Sequence, residues 1–184
     1  LDSKSVNEYF VSNKSNFTKP EKDNLELVFQ ESAALYDGRF ANNGWLQELP
    51  DMVTKLAWGN AVLMSESTAQ SIGVKNEDVV EINNNGLKIK APVWIQPGHA
   101  EFSITVNVGY GQTSIGRISN DVGFNAYKIQ TTKSLNNTPG VSIVNLYETF
   151  ALANVQDHGS MEGRPLVREN SLKEYQKTGE FYPA

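Results

Sequence analysis

Cysteine is absent from this 184-residue chain, and histidine occurs only twice, at His99 and His158. Disulfides, iron–sulfur clusters and thiolate zinc sites within the chain are therefore excluded. Two histidines far apart in sequence, without a thiol to join them, make a His-based metal site improbable. We predict no metal site in this chain.

Long apolar runs and an excess of positive charge are also missing. No run approaches the roughly 20 residues that span a bilayer, so we expect no direct membrane insertion. Sixteen Lys and Arg against 21 Asp and Glu give a net charge of −5, and the basic residues do not cluster. Such a surface repels phosphate backbones, so we expect no nucleic-acid partner.

The composition, 39% hydrophobic and 20% charged, is typical of a soluble globular protein. The chain begins at Leu1 without a basic or apolar leader, which predicts a processed chain or a piece of something longer.

We divide the chain into a polar N-terminal arm (1–24), a folded domain (25–155) and a polar C-terminal tail or linker towards a further domain (156–184). Helical turns are expected around 6–10 and 171–177.

Short apolar or alternating segments predict a mostly β domain. Asn85-Gly86 between two of them is a strong hairpin signal. Pro92 in the return segment predicts an edge, a bulge or a barrel corner. The predicted strands cover 25–30, 61–64, 78–82, 87–95, 103–108, 127–131 and 141–146, with a helical turn over 45–50.

One two-turn helix is predicted over 65–73. Ser67 and Gln70 have capping-box spacing, and Gly73 suits the left-handed position after the helix. The order of helix, glycine and then Asp78-Val-Val-Glu-Ile82 resembles the GD box of double-psi and related cradle-loop barrels. Glu77 stands where that motif has glycine. The fold predicted is a double-psi β-barrel with a few short helices and polar terminal arms.

Candidate binding residues lie in turns. The Gly109–Gly116 loop can present N–H groups to an anion, or be a plain glycine-rich turn. His99 follows Pro97-Gly98 and is either a ligand contact or a surface histidine. We assign His158 to interdomain packing. For the arginines we expect solvated ion pairs; these are Arg39, Arg117, Arg164 and Arg168. For the tryptophans we expect core or interface positions; these are Trp45, Trp58 and Trp94.

No catalytic apparatus is evident in the sequence. The nucleophile elbow Gly-x-Ser-x-Gly does not occur, and the acidic residues show no paired pattern of a glycosidase or metal site. Whether the chain belongs to an enzyme is left open by its residues alone.

Several stretches resemble the C-terminal dinucleotide-binding domain of molybdopterin oxidoreductases, and more specifically the large iron–sulfur subunit of alternative complex III. The general likeness lies in Trp58-Gly-Asn-Ala-Val-Leu-Met-Ser65, Thr68-Ala-Gln-Ser-Ile-Gly-Val74 and Glu77-Asp-Val-Val-Glu-Ile82. The specific likeness lies in 36–50, 91–100, 123–127 (Gly-Phe-Asn-Ala-Tyr) and 156–165. It covers about residues 25–175.

The resemblance implies a fragment of a larger respiratory oxidoreductase subunit involved in electron transfer. Its cofactor would be molybdopterin guanine dinucleotide, with iron–sulfur clusters only outside this chain. The implied cofactor-binding residues are Gly98, His99, Gly109, Gly111, Gly116, Arg117 and Asn125.

The implied partners are other domains of the same polypeptide and subunits of a membrane-attached complex at the periplasmic face of the bacterial inner membrane. As this fragment, the chain would be soluble. Two alternatives stay open: a vacant scaffold for subunit packing in a quinol-oxidising complex, and a free-standing barrel that binds protein partners.

Overall fold

A computed structural model of the protein describes residues 2–13, 19–114, 116–155 and 170–179. Six strands form a closed barrel in the order β1-β5-β2-β4-β3-β6. The strands are β1 (Leu25–Glu31), β2 (Val62–Met64), β3 (Asp78–Asn84), β4 (Leu87–Ile95), β5 (Ser103–Val108) and β6 (Asn137–Thr149).

Two parallel strand pairs interlock within this barrel. Strand β1 pairs in parallel with β5, and β2 pairs in parallel with β4, while β2 and β5 are antiparallel to each other. Parallel pairs need crossover connections: β1 reaches β5 through β2, β3 and β4, and β2 reaches β4 through β3. The predicted mostly β, double-psi type of barrel is confirmed.

The β3–β4 hairpin forms as its turn residues dictate. Asn85 and Gly86 have φ of 51° and 89°, the positive values that a type I′ turn needs. Strand β4 pairs with β3 as far as Pro92 and with β2 from Val93 onward. Pro92 therefore lies at a barrel corner, where a residue without an N–H costs no ladder bond.

The helix between β2 and β3 begins two residues earlier than its capping-box spacing predicts. It spans Glu66–Ile72 and is the third of the four short α-helices (α3) in the described residues. Ser65, not Ser67, is its N-cap, because the Ser65 hydroxyl accepts from the Thr68 N–H. Gly73 ends the helix in the left-handed region, as predicted, with φ of 80°.

The turn into β3 keeps the GD-box geometry although its first residue is not glycine. Glu77 has φ of 72°, in the left-handed region that favours glycine. Asp78 Oδ2 accepts from the Lys75 N–H at 3.0 Å and ties the turn. The Glu77 carboxylate accepts from the Leu152 N–H at 3.0 Å, a hydrogen bond that glycine would lack.

Other predicted elements differ in type or length. The stretch predicted as a strand over 127–131 is a 3-10 helix at Ala126–Ile129, capped by the Asn125 side chain. The strand predicted over 141–146 extends to all of β6. The remaining helices are α1 (Ser3–Asn13), longer than the predicted single turn, α2 (Gly44–Glu48) and α4 (Leu172–Thr178).

The core lies inside the barrel, where alternate residues of each strand point. Leu27, Val62, Ile82, Val93 and Ile104 are fully buried there. A smaller cluster of Leu56, Ala61 and Leu63 lies apart from the barrel core. In the described part of the chain, every helix is too short or too polar to cross a membrane.

Strand directions give the barrel two distinct ends. At the first, which we call the loop end, β1 and β5 finish and β2 begins, so the long segments 32–61 and 109–136 meet there. At the second, the helix end, β5 begins and β4 finishes, next to α3 and the 96–102 loop.

Candidate functional site

Two of the predicted glycines pack against other backbone segments at the loop end. A Cβ on Gly109 would lie 2.8 Å from the Gly38 nitrogen, and one on Gly38 would lie 2.9 Å from the Gly109 carbonyl oxygen. A Cβ on Gly111 would collide with the backbone of Phe124 and Asn125. These glycines therefore allow chain segments to touch, which is a structural use of the residue.

Some N–H groups of the Gly109–Gly116 loop are already hydrogen-bonded within the protein. The Gly111 N–H donates to the Val122 carbonyl at 2.7 Å. Gly116 packs so closely on the Asn42 amide that a Cβ would collide with it, and Asn42 Oδ1 accepts from the Ile118 N–H at 3.1 Å. Arg117 is exposed, and among the described residues no hydrogen bond or ion pair of its side chain is found.

Buried asparagines organise the same end of the barrel. Asn60 is 4% exposed, and its amide group makes three hydrogen bonds to backbone, donating to the carbonyls of Asn107 and Phe124 and accepting from the Phe124 N–H. Asn84 donates to the Ile129 carbonyl at 2.7 Å. Neither residue is among those predicted from the sequence; Asn60 lies within the 58–65 motif that carries the family resemblance, and this is the one sequence signal for it.

A polar cleft of about 370 Å³ opens beside this loop. We call it the lysine cleft because Lys88, Lys90 and Lys128 line it, together with Gly111 and Asn125 of the predicted site. Lys88 is paired with Glu81 at 2.7 Å, and Lys90 with Glu148 at 3.1 Å. Asp121 also lines the cleft. The three lysines are thus balanced by three carboxylates, which weakens any attraction for an anion.

Gly98 and His99 lie at the other end of the barrel. The turn that holds them precedes Ser103, whereas Gly109 follows Val108, and the strand between them rises roughly 3.3 Å per residue. His99 is half-buried, with Nε2 2.9 Å from the Thr105 hydroxyl oxygen and Nδ1 3.1 Å from the Ala100 carbonyl oxygen. The seven predicted residues therefore fall into two groups, one at each end of strand β5.

Arg39 belongs to an exposed cluster at the loop end. Its guanidinium bonds the Asp37 carboxylate at 2.7 Å and lies 4.9 Å from the centre of the Tyr36 ring. This hydrogen bond holds the pKa of Asp37 at about 2. The predicted solvated ion pair is confirmed for Arg39, whereas His158, Arg164 and Arg168 lie outside the described residues.

The tryptophans are more exposed than a core position requires. Trp45 is 87% exposed and Trp58 is 42% exposed, with the Trp58 indole N–H donating to Glu48. Only Trp94 packs against a hydrophobic cluster. A core position is therefore wrong for Trp45 and Trp58, while an interface position stays a prediction.

Within the described ranges, no group of three His, Asp or Glu side chains could hold a metal ion.

Comparison with known proteins supports the architecture. No family model matches the sequence, and no curated protein matches it either. Among solved structures, acetylene hydratase from Pelobacter acetylenicus matches with a TM-score of 0.50 and 14% identity. The likeness is one of fold. It covers 79% of this chain but 20% of that chain, so this chain spans about a fifth of the length of the enzyme it matches.

Proposed function

We propose that this chain is a double-psi barrel domain of a larger molybdopterin-type oxidoreductase subunit and that it acts there as a structural domain. The fold neighbour acetylene hydratase is a molybdopterin-containing enzyme, which agrees with the family resemblance of the 58–65, 68–74 and 77–82 motifs. We further propose, from the sequence likeness to the large subunit of alternative complex III alone, that the whole protein belongs to a quinol-oxidising respiratory complex at the periplasmic face of the membrane.

The observation that carries the structural role is the packing of the glycine-rich loop. A loop that cradles a phosphate keeps its backbone open to the ligand, with N–H groups free to donate. Here Gly109 is packed on Gly38, Gly111 donates to Val122 and Gly116 lies on Asn42. In this proposal the loop serves to join chain segments, and the predicted residues Gly98 and His99 lie at the other end of strand β5.

Cofactor binding is the second candidate, and the lysine cleft favours it. Lys128 and Thr113 line this cleft beside Gly111 and Asn125, and the Lys128 ammonium has no ion pair among the described residues. If this chain holds part of molybdopterin guanine dinucleotide, Lys128 and Thr113 would contact a phosphate there. The bound group would supply the redox centre, while this chain would only hold and orient it.

Two measurements separate the candidates. In the intact larger protein, the structural role predicts molybdenum and pterin far below one equivalent, and stoichiometric pterin would contradict it. On this chain, calorimetry with GDP should give weak binding or none. Micromolar binding that is lost in Lys128→Glu but kept in the exposed control Lys22→Glu would establish the second candidate instead.

A further inference from the structure

A second cavity at the loop end, of about 290 Å³, has walls that are mostly apolar. We call it the tyrosine cavity. It lies between the end of β1, the 49–56 segment and the start of β2, and its apolar lining includes Ala34, Leu49, Met52, Leu56, Ala61 and Leu63. Its polar lining residues are few, so the hydrogen bonds of each one can be followed.

Most polar groups in the cavity wall already have their partners. The Asn60 amide group makes its three bonds to backbone. The Thr54 hydroxyl donates to Asp51 Oδ1 at 3.0 Å and accepts from the Leu56 N–H at 3.3 Å. These groups hold the walls in place and have little capacity left for a ligand.

Tyr110 is different because of its bond with Ser32. The Ser32 hydroxyl oxygen accepts from the N–H groups of Ala34 and Leu35, at 3.2 and 3.1 Å, which uses both of its lone pairs. Ser32 must therefore be the donor in its 3.4 Å contact with the Tyr110 hydroxyl. The Tyr110 O–H hydrogen then has no acceptor among the described residues and can be given to a molecule in the cavity.

The glycines on either side fix Tyr110 in this position. Gly109 and Gly111 have φ of 98° and 63°, and their backbones touch Gly38 and Asn125. Burial raises the pKa of the Tyr110 phenol, with a smaller contribution from the negative charge of Asp51. Tyr110 is therefore a neutral hydrogen-bond donor at pH 7.

Asp51 supplies the complementary acceptor in the same cavity. Its Oδ1 accepts from the N–H groups of Val53 and Thr54 and from the Thr54 hydroxyl. No partner for Oδ2 is found in the described part of the chain. The Tyr110 O–H and Asp51 Oδ2 thus remain available, together with the Asn107 side chain, beside a mostly apolar wall. A few polar groups in an apolar lining are typical of small-molecule sites.

We propose that the tyrosine cavity binds a small, mostly apolar molecule that carries a hydroxyl group, which accepts from Tyr110 and donates to Asp51. A hydroxyl is the simplest group that does both. The volume of about 290 Å³ compares with an apolar cavity of about 150 Å³ that holds benzene, so a substituted ring fits. This site is separate from the lysine cleft and does not depend on the proposed function.

The test uses phenol and toluene, which have similar shapes and differ in the hydroxyl group. Both are titrated into the isotope-labelled chain, and amide shifts of Ser32, Asn107 and Tyr110 are followed by NMR. We expect phenol to bind more tightly than toluene. Tyr110→Phe should weaken phenol binding roughly ten-fold, the value of about one hydrogen bond, and leave toluene unchanged. Tyr127→Phe is the matched control, because Tyr127 bonds the Asp37 carbonyl outside the cavity.

Two further variants test the same cavity without relying on the folding of Tyr110→Phe. Asp51→Asn retains an oxygen for the Val53 and Thr54 N–H groups but loses the carboxylate, so phenol binding should weaken. Ala34→Leu fills the cavity from a half-buried position and should abolish binding of both probes. Shifts scattered over the surface, equal affinity for the two probes, or binding that survives Ala34→Leu would each overturn the proposal.

Discussion

Gly38 and Gly109 touch through their backbones where the loop after β1 meets the loop after β5, and the Gln112 amide nitrogen, which donates to the Gly109 carbonyl at 3.1 Å, fills the space of a Gly38 Cβ. Both residues have positive φ, of 102° and 98°. The contact joins segments that are far apart in sequence, and it fixes one side of Tyr110. It also explains why glycine occurs at the start of the Gly109–Gly116 loop.

Gly109→Ala should therefore destabilise the protein more than an ordinary glycine substitution. The added Cβ would clash with the Gly38 backbone, and alanine is strained at this φ, so we expect a loss of about 3 kcal/mol or more in urea unfolding. Gly98→Ala is the control, because Gly98 has φ of 83° but nothing lies within 4 Å of its Cβ position. It should lose only about 1 kcal/mol. Equal losses at the two positions would contradict the packing argument.

Replacement of Asn60 by alanine should cost about 3 kcal/mol, since several buried backbone groups would lose their partner. The exposed Asn137, whose amide donates to Glu26 at 3.1 Å, is the comparison. Asn137→Ala should change the free energy of unfolding by less than about 0.5 kcal/mol. Urea unfolding measures both. A loss at Asn60 no larger than that at Asn137 would show that Asn60 does not hold the loop.

Substitutions of Glu77 should separate its two contributions. Glu77→Ala loses the hydrogen bond to Leu152 and keeps the unfavourable positive φ, whereas Glu77→Gly loses the same bond and relieves the φ. We expect the glycine variant to be more stable than the alanine variant by about 1 kcal/mol. The difference between the two variants, measured by thermal or urea unfolding, is the test. If alanine were the more stable, the backbone at this turn would not be strained.

The Asp37 carboxyl should titrate near pH 2 in the folded protein. The side-chain hydrogen bond from Arg39 lowers its pKa from 3.8 to about 2, so the folded state binds the proton less readily than the unfolded state. The resulting stabilisation is present above the unfolded pKa and is lost as the pH falls through the folded value. Because the pair is exposed, the effect on total stability is small.

NMR of the carboxyl carbon tests this prediction directly. Arg39→Ala should return the pKa of Asp37 towards 3.8, and Lys88→Ala, which removes an ion pair on the β3–β4 hairpin instead, should leave it unchanged. An Asp37 carboxyl that titrates alike in the Arg39 variant and the original protein would mean that the ion pair does not form.

The sequence by itself determined the local structure, because local structure depends on residues close together in the chain. Alternation in Leu87–Ile95, Asn85-Gly86 at the turn and Gly73 after a helix each predict a conformation through side-chain direction or permitted φ. The strand predicted over 127–131 was wrong because its pattern of apolar residues does not show the burial of Ala126 and Ile129, which with the Asn125 cap gives a 3-10 helix.

Only the tertiary structure decided which candidate residues meet. The predicted strand over 103–108 already separates His99 from Gly109, but only barrel closure decides which loops surround each of them. The meeting of Gly109 with Gly38, and of Asn60 with Phe124, likewise depends on loops that follow different strands. A glycine that binds a phosphate and a glycine that packs on another backbone look alike in sequence, because only the neighbours differ.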